Sequence, residues 1–276
     1  MSVSPRAPVR VVVTGKGGVG KTTLTALLAR QLAGRGQRVL AVDADAQMNL
    51  ARTVGLSAAA AAAITPLSHE RDYIEETVGA RPGESGSMLR LNPDVSDAVA
   101  RFGVDGPDGV RLLVMGGLSQ AGAGCLCPEN SLLSAAVAAV GHDDADVVLM
   151  DTQAGVEHFG RSLARGFDRA VVVTDPTSNA VAVAVQTARL AADLGIPSID
   201  LVVNRVRTPD DAGRASRLVA DEGGFPFSRV HVVPWDDAVL AADPSVEPLL
   251  HAGTPFPRAT SELAEAWLAV ALEATR

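Results

Sequence analysis

Arg10-Val11-Val12-Val13-Thr14-Gly15-Lys16-Gly17-Gly18-Val19-Gly20-Lys21-Thr22-Thr23 is the stretch on which the fold turns. Its first five residues are a short β-branched run, the composition of a strand. From Leu24 to Ala33, leucine and alanine recur at helical spacing. Between the two, Gly15 to Thr22 reads G-x-x-x-x-G-K-T, a loop whose backbone N–H groups wrap a polyphosphate. A strand, a glycine loop and a helix N-terminus in this order aim N–H donors and the positive end of a helix dipole at one anionic group. Gly15, Gly17, Gly18, Val19, Gly20, Lys21, Thr22 and Thr23 are therefore the candidate nucleotide contacts. In this pattern Lys21 reaches the β- and γ-phosphates and the Thr22 hydroxyl holds Mg²⁺.

The loop also contains both lysines of the chain, Lys16 and Lys21, although there are 24 basic residues in all. Arginine replaces lysine everywhere else, so these two positions call for a compact ammonium on a flexible stem rather than a planar guanidinium. Lys21 is explained by the phosphate pattern; Lys16 is not. With K-G-G-V-G-K-T-T, the loop resembles that of the deviant Walker A ATPases. That resemblance implies that Lys16 is a signature lysine crossing a dimer interface to the partner's phosphates.

At 276 residues the chain is near the upper size for one hydrophobic core, which predicts a single α/β domain, residues 1–276. A net charge of −8 argues against a general phosphate-backbone binder, so no nucleic-acid partner is expected. No apolar run approaches the roughly 18 residues of a membrane span, and Met1 to Arg10 shows no apolar signal region. A cytoplasmic protein without a membrane partner is expected, with cysteines present as thiols or metal ligands rather than a structural disulfide.

β-branched runs at 10–14, 38–43, 111–115, 146–151, 170–174, 200–204 and 230–233 alternate with helical stretches such as 22–34, 129–140, 180–194 and 259–274. This predicts a mostly parallel central sheet covered by helices on both faces. Ligands on such sheets sit beyond the carboxyl ends of the strands, where the polar residues gather here. Residues 57–110 break the pattern with an alanine run, Pro66 and a Gly/Pro/Ser-rich stretch, and read as an insertion packed on the domain.

Two strands end in acids. Val39-Leu40-Ala41-Val42-Asp43-Ala44-Asp45 places two carboxylates at one end, facing the same way if the strand continues. Such a pair repels unless a cation lies nearby, and Mg²⁺ with a water at the γ-phosphate accounts for it. Asp146-Val147-Val148-Leu149-Met150-Asp151 has the Walker B form, with Asp151 serving Mg²⁺. The loop that follows, Thr152 to His158, contains Gly155 and suits a switch sensing the γ-phosphate. By resemblance, Asp43 and Asp151 are Mg²⁺ residues and Asp45 orients the attacking water. The same resemblance implies that Asn204, at the end of 200–204, contacts the adenine base, with the backbone near Pro234 and Trp235 closing over it.

Gly122-Ala123-Gly124-Cys125-Leu126-Cys127-Pro128-Glu129-Asn130 holds the only cysteines. A C-x-C offers a metal two ligands, whereas closed soft-metal sites take four. A two-fold dimer would supply the other pair; two idle thiols are the plainer alternative.

G-A-G-C-x-C-P-E-N, D-x-x-A-G-V-E-H at Asp151–His158, and D-P-T-x-x-A followed by V-V-N-R-V resemble the CooC family of nickel-dependent carbon monoxide dehydrogenase maturation ATPases. The resemblance spans nearly the whole chain. It implies a homodimer in which Cys125 and Cys127 of both subunits bind Ni²⁺ or Zn²⁺, with ATP turnover accompanying nickel delivery to a client metalloenzyme. One position departs from the family: Gln153 stands where it usually carries Glu. Two other functions share the ATP site. A MinD/ParA-like positioning ATPase wants a basic amphipathic C-terminal helix or a basic surface, but Ser261 to Arg276 has one arginine and three glutamates. Iron–sulfur carrier ATPases typically use C-x-x-C or two distant cysteines.

Overall fold

The computed structural model describes residues 9–79, 90, 94–116, 132, 135–136, 145–154 and 166–273. Eight strands form one sheet: β1 (Val9–Gly15), β2 (Val39–Ala44), β3 (Val104–Asp105), β4 (Arg111–Val114), β5 (Val147–Thr152), β6 (Arg169–Thr174), β7 (Ser198–Val206) and β8 (Arg229–Pro234). Their order is β3-β4-β2-β5-β1-β6-β7-β8. Every neighbouring pair is parallel except β3–β4, a two-residue antiparallel edge.

Alternation along the strands feeds two cores. Val11, Val13 and Leu149 face one side with α1 (Lys21–Gly34), while Val12, Val148 and Met150 face the other. All six of these apolar residues on β1 and β5 are fully buried, as expected of strands covered on both faces. The described helices after α1 are α2 (Leu50–Val54), α3 (Ala58–Ala62), α4 (Arg71–Val78), α5 (Ala98–Phe102), α6 (Ser178–Asp193), α7 (Pro209–Asp221), α8 (Asp237–Ala242) and α9 (Pro255–Glu273). From α9, Leu263, Ala264 and Trp267 join the α1 side of the sheet. Ala184, Ala188 and Ala191 of α6 join the other. None of the described helices is long and apolar enough to cross a membrane.

The strands expected from the sequence are present with ends shifted by at most two residues. Within 57–110, Leu67, Tyr73, Ile74, Val78, Val95 and Ala98 are buried in the same core as Val12 and Val42. The end of that stretch also supplies β3, which was not expected. Of the helix expected over 129–140, residues 132, 135 and 136 are described and are helical.

The candidate nucleotide site

The strand order places β1 in the interior, with its carboxyl end opening into the glycine loop. Gly15 is the last residue of β1 and has φ 141°. A Cβ there would overlap the Val173 carbonyl oxygen, so the close β1–β6 pairing at this point requires glycine. Gly20 caps α1 in the left-handed region, at φ 96°. Its missing Cβ leaves room for the Asn204 amide nitrogen, which would otherwise lie 2.7 Å away. That Nδ2 instead donates to the Val19 carbonyl at 2.8 Å. Asn204, at the end of β7, thus clamps the loop while lining the cavity beside it.

Lys21, the first residue of α1, is 7% exposed, and its Nζ donates to the Lys16 carbonyl at 3.1 Å. Burial lowers its pKa, opposed by the charges of Asp151 and Asp45. Lys16 itself is half-buried at the loop's edge. The parallel register of β2 and β5 pairs Asp43 directly with Asp151, so both acids reach the same end of the sheet as the loop. Asp43 is fully buried, and its two oxygens accept from the backbone N–H groups of Asp45 (3.1 Å) and Leu50 (2.9 Å). Burial raises its pKa to about 6, against those two hydrogen bonds.

Asp151 is 1% exposed, and among the described residues neither of its carboxylate oxygens has a hydrogen-bond partner of proper geometry. Burial lifts its pKa to about 7; the nearby Thr22 hydroxyl and Lys21 oppose this, and Asp43 and Asp45 add to it. A buried, unpartnered carboxylate next to a second acid is stable in neither charge state alone, and a divalent cation answers that deficit. The residues present therefore fit Mg²⁺, although among the described residues no three His, Cys, Asp or Glu side chains form a closed metal site.

Asp43 and Asp45 do not share a direction by strand periodicity, because β2 stops at Ala44 and the chain turns there. Asp45 is partly exposed and accepts the Gln47 N–H at 2.9 Å, while Asp43 is occupied inside. The two acids still converge electrostatically on Asp151, and Asp45 acts on Lys21 as well.

Beside the loop lies a cavity of about 180 Å³ walled by Gly20, Thr23, Asn204, Pro234, Trp235 and Phe256, among others. It joins the phosphate-loop end of α1 to the ends of β7 and β8. Val239, Leu240 and Phe256 were not singled out from the sequence; they lie on α8 and α9 and carry no local motif. Asp236 organises that wall, accepting from the N–H groups of Ala238 and Phe256 at 3.0 Å each. Cys125, Cys127, Glu157 and His158 lie outside the described residues. Gln153 is exposed at the end of β5, and Ala154 beside it abuts Gly17, where a Cβ would sit 3.4 Å from that of Ala154.

Residues 10–249 match the model of the CobQ/CobB/MinD/ParA nucleotide binding domain. The chain belongs to that family. Within it, the chain is of the CooC type: it is 38% identical to the carbon monoxide dehydrogenase accessory protein CooC of Rhodospirillum rubrum, over 85% of this chain and 86% of that protein. It is 35% identical to an uncharacterized ATP-binding protein of Methanocaldococcus jannaschii, over 85% and 88% of the two chains. Among solved structures, the cell division ATPase MinD of Pyrococcus furiosus superposes with a TM-score of 0.64 at 23% identity, covering 96% of this chain and 99% of that one. That likeness speaks for the P-loop ATPase fold of this family.

Proposed function

We propose that this protein is a dimeric, ATP-hydrolysing metallochaperone of the cytoplasm that assists nickel insertion into a carbon monoxide dehydrogenase or a related metalloenzyme. The observation that carries the nucleotide half is the phosphate loop facing the buried Asp151 carboxylate, whose oxygens have no partner among the described residues. The client half rests on the similarity to the Rhodospirillum rubrum CooC accessory protein together with the C-x-C-P-E-N segment.

In this reading residues 1–276 are one ATPase domain, with 57–110 an insertion laid on it. The triphosphate rests on the N–H groups of Gly15, Gly17, Gly18, Val19, Gly20, Lys21, Thr22 and Thr23, at the positive end of α1. Lys21, already buried and held toward the loop by the Lys16 carbonyl, loses little freedom on meeting the β- and γ-phosphates. Thr22, Asp43 and Asp151 hold Mg²⁺, which when bound supplies positive charge against the phosphate oxygens. Asp45, partly exposed at the turn after β2, orients the attacking water and accepts its proton. Lys16 acts on the partner's phosphates across the dimer. Asn204, Pro234 and Trp235 bound the adenine cavity. Cys125 and Cys127 from each subunit hold one Ni²⁺ or Zn²⁺.

Phosphate release at saturating Mg·ATP tests the enzymatic half. The wild type hydrolyses ATP and Lys21→Ala, having lost the phosphate contact, does not; equal rates in the two would defeat the reading.

A further inference from the structure

The wall of the cavity beside the phosphate loop is built on a tryptophan that is held from outside. Trp235 lies just past β8 and is fixed at two points: its backbone N–H donates to the Val206 carbonyl at 2.8 Å, and its indole N–H donates to Asp237 Oδ1 at 2.9 Å. The guanidinium carbon of Arg207 lies over the indole, 3.9 Å from the ring centroid. Trp235 lines the cavity and Arg207 does not, so the cation covers the ring without filling the space.

Arg207 is not a wandering surface arginine. The end of β7 carries a register shift between Val203 and Val206, with Arg205 at φ 61°. Pairing with β8 resumes at Val206 and Pro234, just before Arg207. The backbone N–H groups of Arg207 and Thr208 then both donate to Asp211 Oδ2 at 2.9 Å, within the capping box that starts α7. The backbone of Arg207 is therefore anchored where its side chain meets the indole.

We propose that Arg207 is a positioning residue for nucleotide binding: by stacking on Trp235 it pre-orders the indole as a wall for a flat heteroaromatic base. The inference rests on the nucleotide reading above and adds a residue to it. An indole left to rotate must be ordered when the base arrives, and that ordering reduces affinity; an indole already held by a cation avoids it. The stack also carries its own stabilisation, which an exposed cation–π pair supplies modestly. The effect belongs to the base and not to the phosphates, because Arg207 is outside the cavity and Lys21 serves the phosphate end.

The test compares wild type, Arg207→Ala and Arg207→Lys by calorimetric titration with Mg·ATP and with Mg·tripolyphosphate, together with steady-state hydrolysis. Arg207→Ala is expected to raise Kd and KM for ATP roughly twofold to fivefold, leaving kcat and tripolyphosphate affinity unchanged. Arg207→Lys, which keeps a cation for the ring but not the planar stack, should recover part of the loss. ATP affinity unchanged in Arg207→Ala would overturn the inference. An equal loss toward tripolyphosphate would also overturn it, by showing that the arginine acts as a general attractor of phosphate. A fall in kcat at unchanged KM would mean a structural role instead. Wild-type protein that binds tripolyphosphate and ATP equally would remove the base cavity from the account, and wild-type protein that binds neither would remove the nucleotide reading itself.

Discussion

Asp151→Asn should stabilise the nucleotide-free protein, and more so as pH rises. The wild-type carboxyl is 1% exposed, and burial lifts its pKa from 3.8 to about 7. Between those values the native state holds a proton that the unfolded chain has released. Native protein thus binds more protons than unfolded protein, and stability falls with rising pH across that window and levels off above it. A shift of about three units corresponds to roughly 4 kcal/mol at 1.36 kcal/mol per unit. At pH 5, about one unit above the unfolded value, the same accounting leaves roughly 2 kcal/mol. The asparagine keeps the shape without the charge and escapes the whole of this cost. Thermal unfolding in EDTA at pH 5 and pH 8 is the assay, and a gain of roughly 10 °C at pH 8 is the expected size for a chain of this length. Mg·ATP should reverse the ranking by stabilising the wild type and not the variant. A variant no more stable than wild type at pH 8, or one with the same advantage at both pH values, would refute the reasoning.

Lys16→Ala should bind Mg·ATP with near wild-type affinity and lose turnover by on the order of 10³–10⁵, the size of a charge supplied from a partner subunit; single-turnover phosphate release measures it. Asp45→Asn should bind Mg·ATP in calorimetry yet hydrolyse it far more slowly, because it removes orientation of the water and not a phosphate contact. Gly20→Ala should destabilise the protein by about 1–3 kcal/mol in urea titration and weaken ATP binding, since its Cβ would lie 2.7 Å from the Asn204 amide at φ 96°.

The central strands were legible because burial on both faces demands unbroken apolar runs, and β1, β2, β5 and β6 consist of little else. The phosphate loop was legible because glycine at 15 and 20 answers local backbone geometry. Two-residue β3 has no run to read; it exists through its pairing with Leu112 and Arg111. Asp43 and Asp45 share a direction only if the strand continues, and β2 ends at Ala44, where the Asp43 carboxylate accepts the N–H groups of Asp45 and Leu50. Asn204 could be singled out as a strand-end residue, but its bond to Val19, 185 positions away, depends on the sheet order. The same applies to Phe256, which reaches the cavity from α9, and to Arg207, which covers Trp235 from the segment after β7 without lining the cavity.

Anaerobic equilibrium dialysis with Ni²⁺, in the presence and absence of a non-hydrolysable ATP analogue, tests metal delivery under nucleotide control most directly. One metal should bind per two chains and none to the Cys125→Ser/Cys127→Ser variant, with binding weakening as pH falls because thiols must release protons to ligate. The analogue should shift the nickel affinity, and nickel should shift the affinity for the analogue by the same factor. One metal per chain, undiminished binding by the double variant, or a nickel affinity indifferent to nucleotide would contradict the account.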